Sequence, residues 1–283
     1  MYARQGPPIH RRHTPQGPAT LRVHHLGPHP LIHHFLEMIQ FEAIARSCLG
    51  SAGQPVVDHA ATLAVLVHNV LVSPAPLYRI AEWVAPIDPA ALNLTPEQKD
   101  ALNDDRVARA LDALGSARAR NLWFRLALRI IKRFELRTDR MHFDTTTVTF
   151  HGGYERSVTE PRITRGYNKD HRPDLKQLLF GVTVSADGAV PVQHQIWSGN
   201  RTDDSVHRGN LERLRALLGR EDFIYVADSK LCTRDNLAEI AAHGGRFVTV
   251  LPRTRREDQA FRQRLRQQPA RWKTIAVIPN HRR

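Results

Sequence analysis

Cysteine is nearly missing from this 283-residue chain: Cys48 and Cys232 stand alone, and no Cys-x-x-Cys pair occurs. That excludes a disulfide framework and the common cysteine metal clips. Long apolar runs are missing too. The most apolar stretch, residues 60–72, is interrupted by His68 and Asn69 and falls short of the roughly 18–20 residues a membrane helix requires. The first residues carry charge without an apolar segment, so they do not read as a secretory signal. A soluble, cytoplasmic protein without membrane partners is the expectation. Acidic side chains are scarce, 28 against 41 Lys and Arg, for a net charge of +13. From Leu251 to Arg283 ten basic residues face only Glu257 and Asp258, so this stretch supplies +8 of the total. Such a surplus favours a polyanionic partner through phosphate neutralisation, although a solvated basic face has the same composition.

What is present is enough for real cores, since 41% of the residues are hydrophobic. Residues 1–20, rich in Pro, Gly, Arg and His, read as a disordered leader. Seven of the 16 histidines lie in the first 34 residues, but without acidic or cysteine partners they read as a weakly charged segment rather than a metal site. From Leu31 to about Arg140 the pattern is helical. Residues 31–44 are amphipathic, and residues 56–72 suit a buried helix that ends at Ser73-Pro74. Thr95-Pro96-Glu97 is an N-cap followed by proline, and Asn103 opens a further helix. A last helix spans about residues 117–134. Residues 21–138 therefore form a helical N-terminal domain.

The character changes at Met141. Residues 142–150 are β-branched and aromatic, hence a strand. Two more strands, residues 178–184 and 190–197, flank an Asp187-Gly188 turn. A helix over 204–218, a short strand over 223–227 read as buried on both faces, a helix over 235–242 and a strand over 246–251 follow. The order β-β-β-α-β-α-β predicts an α/β domain over residues 139–283, a mixed sheet flanked by helices.

Two carboxylates in this domain could carry chemistry. Asp144 lies inside the first strand and Asp228 ends the fourth, where an unpaired buried charge is costly. In a sheet of this order the two strands can be neighbours. Like charges brought together call for a cation, and Mg²⁺ suits two carboxylates and phosphate oxygens. An equally simple account makes Asp144 a strand-edge residue bonded to neighbouring hydroxyls and Asp228 a cap on the following helix.

His142-Phe-Asp-Thr-Thr-Thr, Gly166-Tyr-Asn-Lys-Asp-His-Arg-Pro-Asp-Leu-Lys-Gln177 and Val226-Ala-Asp-Ser229 resemble bacterial insertion-sequence transposases of the DDE type, in the branch with a Tyr-Arg-Glu-Lys signature. Asn103-Asp-Asp-Arg106 and the apolar region before it are similar to that branch's helical N-terminal domain. The resemblance covers about residues 24–263. It implies a ribonuclease H-like catalytic domain, with Asp144 and Asp228 as the first two catalytic, metal-binding carboxylates and Mg²⁺ (or Mn²⁺) as cofactor. It also implies cleavage and strand transfer on double-stranded DNA at transposon ends, by a homodimer in a synaptic complex close to the nucleoid. Arg165, Lys169, Arg172 and Lys176 form a cationic loop expected to contact phosphates, with Asn168 and His171 less securely placed. The alternative is a loop ordered by salt bridges to Asp170 and Asp174. Arg253, Arg255 and Arg256 of the basic tail are further DNA-contact candidates. Asn200 and Asp203 read as turn or cap residues.

The family's third carboxylate, a Glu beyond a large insertion, has no counterpart in this sequence. Glu239 and Glu257 lack the signature's context and read as surface residues. The expectation is therefore an incomplete ribonuclease H-like sheet in a truncated copy that does not catalyse transposition unaided. The alternative is a non-catalytic DNA-binding fragment that inhibits or regulates a full-length transposase. A ribonuclease H-like nuclease of unrelated purpose fits the two aspartates but not the Lys169–Gln177 block.

Overall fold

The computed structural model describes residues 23–50, 53, 55–116, 120–154, 160–166, 172–202, 205–268, 270 and 272–275. The expected leader, residues 1–20, lies outside them. The chain divides into two units, one made of Met1–Glu37 with Ala45–Ser116 and the other of Met38–Ile44 with Ala117–Arg283.

Helices α1 (His29–Met38) and α2 (Phe41–Leu49) take the place of the single amphipathic segment read over 31–44, because Gln40 adopts a positive φ of 56° between them. A continuous helix cannot contain that backbone conformation. The first unit is built around α3 (His59–Val72), where eight side chains are buried. Its ends follow from local chemistry. Asp58 caps α3, with Oδ1 accepting from the Ala61 amide at 2.7 Å and Oδ2 accepting from Arg46 Nε at 2.6 Å. Asp58→Ala is expected to destabilise this unit by about 1–2 kcal/mol, measured by urea unfolding of the full chain; an unchanged midpoint would mean the cap contributes nothing. Short helices α4 (Ile80–Val84) and α5 (Pro96–Asp100) and the longer α6 (Asp104–Leu114) complete the unit. Thr95 forms the capping box on α5 with Gln98, and Asn103 Oδ1 caps α6 through the Arg106 amide at 2.8 Å. Val57, Val65, Ile80, Leu92, Leu102 and Val107 form its core.

The second unit begins with α7 (Leu122–Arg133) and continues into six strands: β1 (Arg140–Phe150), β2 (Thr164–Arg165), β3 (Lys176–Ser185), β4 (Pro191–Ser198), β5 (Ile224–Val226) and β6 (Arg246–Val248). Helix α8 (His207–Leu218) links β4 to β5, α9 (Arg234–Ala242) links β5 to β6, and α10 (Arg256–Gln267) follows β6. Strand order is β2-β3-β1-β5-β6, and β4 also pairs with β3. β1, β3 and β4 are antiparallel neighbours, whereas β1, β5 and β6 run parallel. Parallel neighbours need crossover connections, which α8 and α9 provide. This is the mixed, ribonuclease H-like α/β sheet read from the sequence, with the two-residue β2 as an addition.

Alternation fixes the two faces of the sheet. Met141, Phe143, Leu179, Phe223 and Tyr225 point into a core with Leu211, Leu214 and Leu217 of α8. A polar cluster is sealed in the same layer. Asn210 Oδ1 accepts from Gln193 Nε2 at 2.7 Å and Gln195 Nε2 at 2.8 Å, while its Nδ2 donates to the Tyr225 hydroxyl at 3.0 Å and Thr183 Oγ1 at 3.1 Å. His207 Nδ1 lies 3.3 Å from the same tyrosine oxygen. One amide of α8 thereby satisfies groups on β3, β4 and β5, as burial requires. Among the described residues no single helix is long and apolar enough to cross a membrane; His59–Val72 and Leu77–Val84 meet the length and composition only as a pair bent by 105°.

Candidate functional site

The register of β1 and β5 places the two aspartates. Arg140, Met141 and His142 pair with Ile224, Tyr225 and Val226. The pairing ends there, two residues before Asp144 on β1 and two before Asp228 beyond β5, so both aspartates follow directly on paired parallel strands. Asp144 alternates with buried Phe143 and so lies on the face of β1 away from the α8 core. The expectation of two strands side by side is met.

The environment differs from the one expected. Asp144 and Asp228 are both exposed, and β5 is buried through Tyr225 on one face while Ile224 and Val226 on the other are partly open. The burial-cost argument for a bound cation therefore does not apply, because neither carboxylate has been taken out of water. Local capping accounts for one oxygen of each. Asp144 Oδ1 accepts from the Thr145 amide at 2.8 Å, and Asp228 Oδ1 accepts from the Lys230 amide at 3.0 Å. Oδ2 of each has no protein partner among the described residues, so one oxygen of each carboxylate is open to a hard cation. Thr249, which the sequence reading missed, anchors the Asp228 backbone by donating Oγ1 to its carbonyl oxygen at 2.5 Å. No spacing signals it, since the two residues meet only when β6 pairs with β5.

Among the described residues no group of three or more His, Cys, Asp or Glu side chains could hold a metal ion. Glu239 is held by Arg215 at 3.0 Å and lies 3.3 Å from His243, and Glu257 lies 3.6 Å from Arg255.

The cationic candidates are mixed in character. Arg165 is exposed on β2; Lys169, with Asn168, Asp170 and His171, lies outside the described residues. Arg172 grips Asp174 with two bonds of 2.9 and 2.7 Å, and this contact pushes the Asp174 carboxyl down to about 2. The salt-bridged alternative is thus realised at one position of the loop. Lys176 Nζ donates to the Gly153 carbonyl oxygen. Arg253, Arg255 and Arg256 are exposed at the start of α10, with Arg255 paired to Glu257. Asn200 lines a concavity of about 730 Å³ with Glu160, Trp197 and Arg201; Asp203 lies outside the described residues.

Close packing explains the glycine and glutamine that bound the Gly166–Gln177 block. A Cβ on Gly166 would lie 1.9 Å from the Gly199 oxygen, and one on Gly199 would lie 2.1 Å from the Gln177 oxygen. Buried Gln177 donates Nε2 to that Gly199 oxygen at 2.7 Å, which locks the start of β3 to the end of β4.

The class defined by strand order and register is a ribonuclease H-like mixed sheet joined to a helical unit. Residues 19–128 match a family model described as a domain of unknown function, DUF4277. Comparison with curated proteins gives no match. Among solved structures the chain is similar to the Mos1 transposase paired-end complex with left transposon end, at 14% identity and a TM-score of 0.27, covering 70% of this chain and 60% of that one. It is also similar to the piggyBac transposase synaptic complex with hairpin DNA, at 10% identity and a TM-score of 0.44, covering 81% and 52%. A simian T-cell lymphotropic virus intasome with the PP2A regulatory subunit B56 gamma matches at 14% identity and a TM-score of 0.26, covering 57% and 49%. The chain thus spans about half to three-fifths of the length of these neighbours, and the fold assignment rests on its own strand order.

Proposed function

We propose that this chain is a DDE-type DNA transposase of a bacterial insertion sequence, acting on double-stranded DNA at transposon ends, with Asp144 and Asp228 as its catalytic carboxylates. The observation that supports the reading is the parallel β1–β5 pairing, which ends two residues before both Asp144 and Asp228. Asp144 Oδ2 and Asp228 Oδ2 would hold Mg²⁺ or Mn²⁺. When bound, such an ion activates a water or 3′-hydroxyl and stabilises the leaving oxygen of a phosphodiester. The chain's own part is positional. The Thr145 and Lys230 amides and Thr249 orient the carboxylates. Arg165, Lys169, Lys176, Arg253 and Arg256 supply phosphate contacts that fix the duplex, whereas Arg172 and Arg255 share their charge with Asp174 and Glu257. In the same reading the helical unit grips the DNA end and two copies act in a synaptic complex.

The test is Mn²⁺ titration of the full chain, followed by the electron paramagnetic resonance of the free ion. Asp144→Asn and Asp228→Asn are each expected to weaken Mn²⁺ binding at least about tenfold, since each removes one of two anionic ligands. Equal binding by both variants and the parent would sink the site. The absence of a third carboxylate beside the pair among the described residues favours a second reading, a DNA-binding chain that regulates a complete transposase. Nicking of supercoiled plasmid with Mn²⁺, lost in Asp144→Asn, decides for the first; retention of plasmid without nicking decides for the second.

A further inference from the structure

None of the twelve residues of helix α10 is buried. Four arginines face Glu257 and Asp258 in it, a net +2, and Arg256, Arg264 and Arg266 make no ion pair among the described residues, whereas Arg262 is bound to Asp258 at 2.6 Å. Aromatic rings stand open among these cations. Phe261 is 49% exposed with the Arg264 guanidinium 5.6 Å from its ring centre, and Trp272, beside Lys273, is 94% exposed. An open tryptophan costs hydration free energy unless something covers it.

We propose that this surface binds single-stranded nucleic acid, with Phe261 and Trp272 stacking on unpaired bases while Arg256, Arg264 and Arg266 hold the phosphates. Charge complementarity selects a polyanion and argues against a second copy of the same basic surface. The exposed rings then select among polyanions. A duplex keeps its base faces stacked inside, whereas every unpaired base offers a π-face to an aromatic platform and a guanidinium. An anionic lipid surface would meet the charge, but Ala260, Phe261 and Leu265 are the only apolar residues of α10, too few to immerse a helix. The proposal rests on the DNA-processing reading and adds a substrate state to it: the strand exposed when an end is opened.

The test uses the full chain, with fluorescence anisotropy of a 20-nucleotide oligo-dT and of a duplex of equal length at about 0.1 M salt. The double variant Phe261→Ala/Trp272→Ala is expected to weaken oligo-dT binding at least about tenfold and duplex binding less than twofold. The triple variant Arg256→Ala/Arg264→Ala/Arg266→Ala should weaken both. All five side chains are exposed, and circular dichroism verifies that each variant folds. Equal loss on both nucleic acids, no loss on either, or tighter binding of phosphatidylglycerol vesicles than of oligo-dT overturns the proposal. Mn²⁺ binding at Asp144 and Asp228 is read separately and should be unchanged in both variants, so failure of one idea does not disguise failure of the other.

Discussion

Asn210→Ala is expected to destabilise the sheet unit by about 3–5 kcal/mol, which appears as a fall of about 10²- to 10⁴-fold in hydrogen-exchange protection of the β3 and β5 amides. The loss comes from what the amide leaves behind rather than from its own volume. Gln195 Nε2 and Thr183 Oγ1 lose their bonds to Asn210, and the Tyr225 hydroxyl keeps only His207. All of these groups lie at 4% exposure or less, so water cannot replace the missing partner. Each buried group left unsatisfied costs about 1–3 kcal/mol, and the vacated space adds a cavity cost. Gln193 is the internal comparison, because its Nε2 still reaches the Asn210 backbone oxygen at 3.2 Å. Unchanged protection in β3 and β5 would show that the cluster does not hold α8 on the sheet.

Acidification is expected to loosen the helical unit. His29 and His68 are 4% and 1% exposed, their Nδ1 atoms lie 3.1 Å apart, and Trp83 meets the His29 ring edge-on at 5.6 Å. At that distance one imidazole donates to the other, which requires the acceptor to be uncharged, and burial disfavours charge on either ring. Burial, then the neighbouring His29 and His33, pushes His68 down to about 4, and burial also lowers His29. The folded chain therefore binds fewer protons than the unfolded chain between about pH 6.5 and 4, so stability falls as pH falls through that window. The full difference for His68 is about 3 kcal/mol, present above the unfolded value near 6.5 and lost progressively below it. Urea unfolding at pH 7.5, 6, 5 and 4.5 measures the slope, with His68→Leu as the comparison. The variant should lose the larger part of the acid sensitivity of α3; identical slopes would mean the pair does not stay neutral.

Much of the architecture was legible in the sequence because it is local. The Thr95 and Asn103 caps, the strand at His142–Phe150 and the α8 stop at Gly219 depend on residues a few positions apart, and each is found. The break at Gln40 was missed because no glycine or proline marks it. The open surroundings of Asp144 and Asp228 were missed for a different reason. A short apolar run such as Phe223–Ala227 reads as buried on both faces, yet here one face of the strand remains uncovered.

The sequence by itself determined the helical and mixed-sheet halves, the two candidate carboxylates and the basic C-terminal stretch, since composition and short-range spacing encode them. Only the tertiary structure decided that the strands carrying Asp144 and leading to Asp228 pair in parallel, that Thr249 anchors the Asp228 backbone, and that no third carboxylate among the described residues joins them. These relations depend on pairing between distant strands, 84 residues apart for Arg140 and Ile224. Register between distant strands is set by which faces bury together, and no local pattern records it.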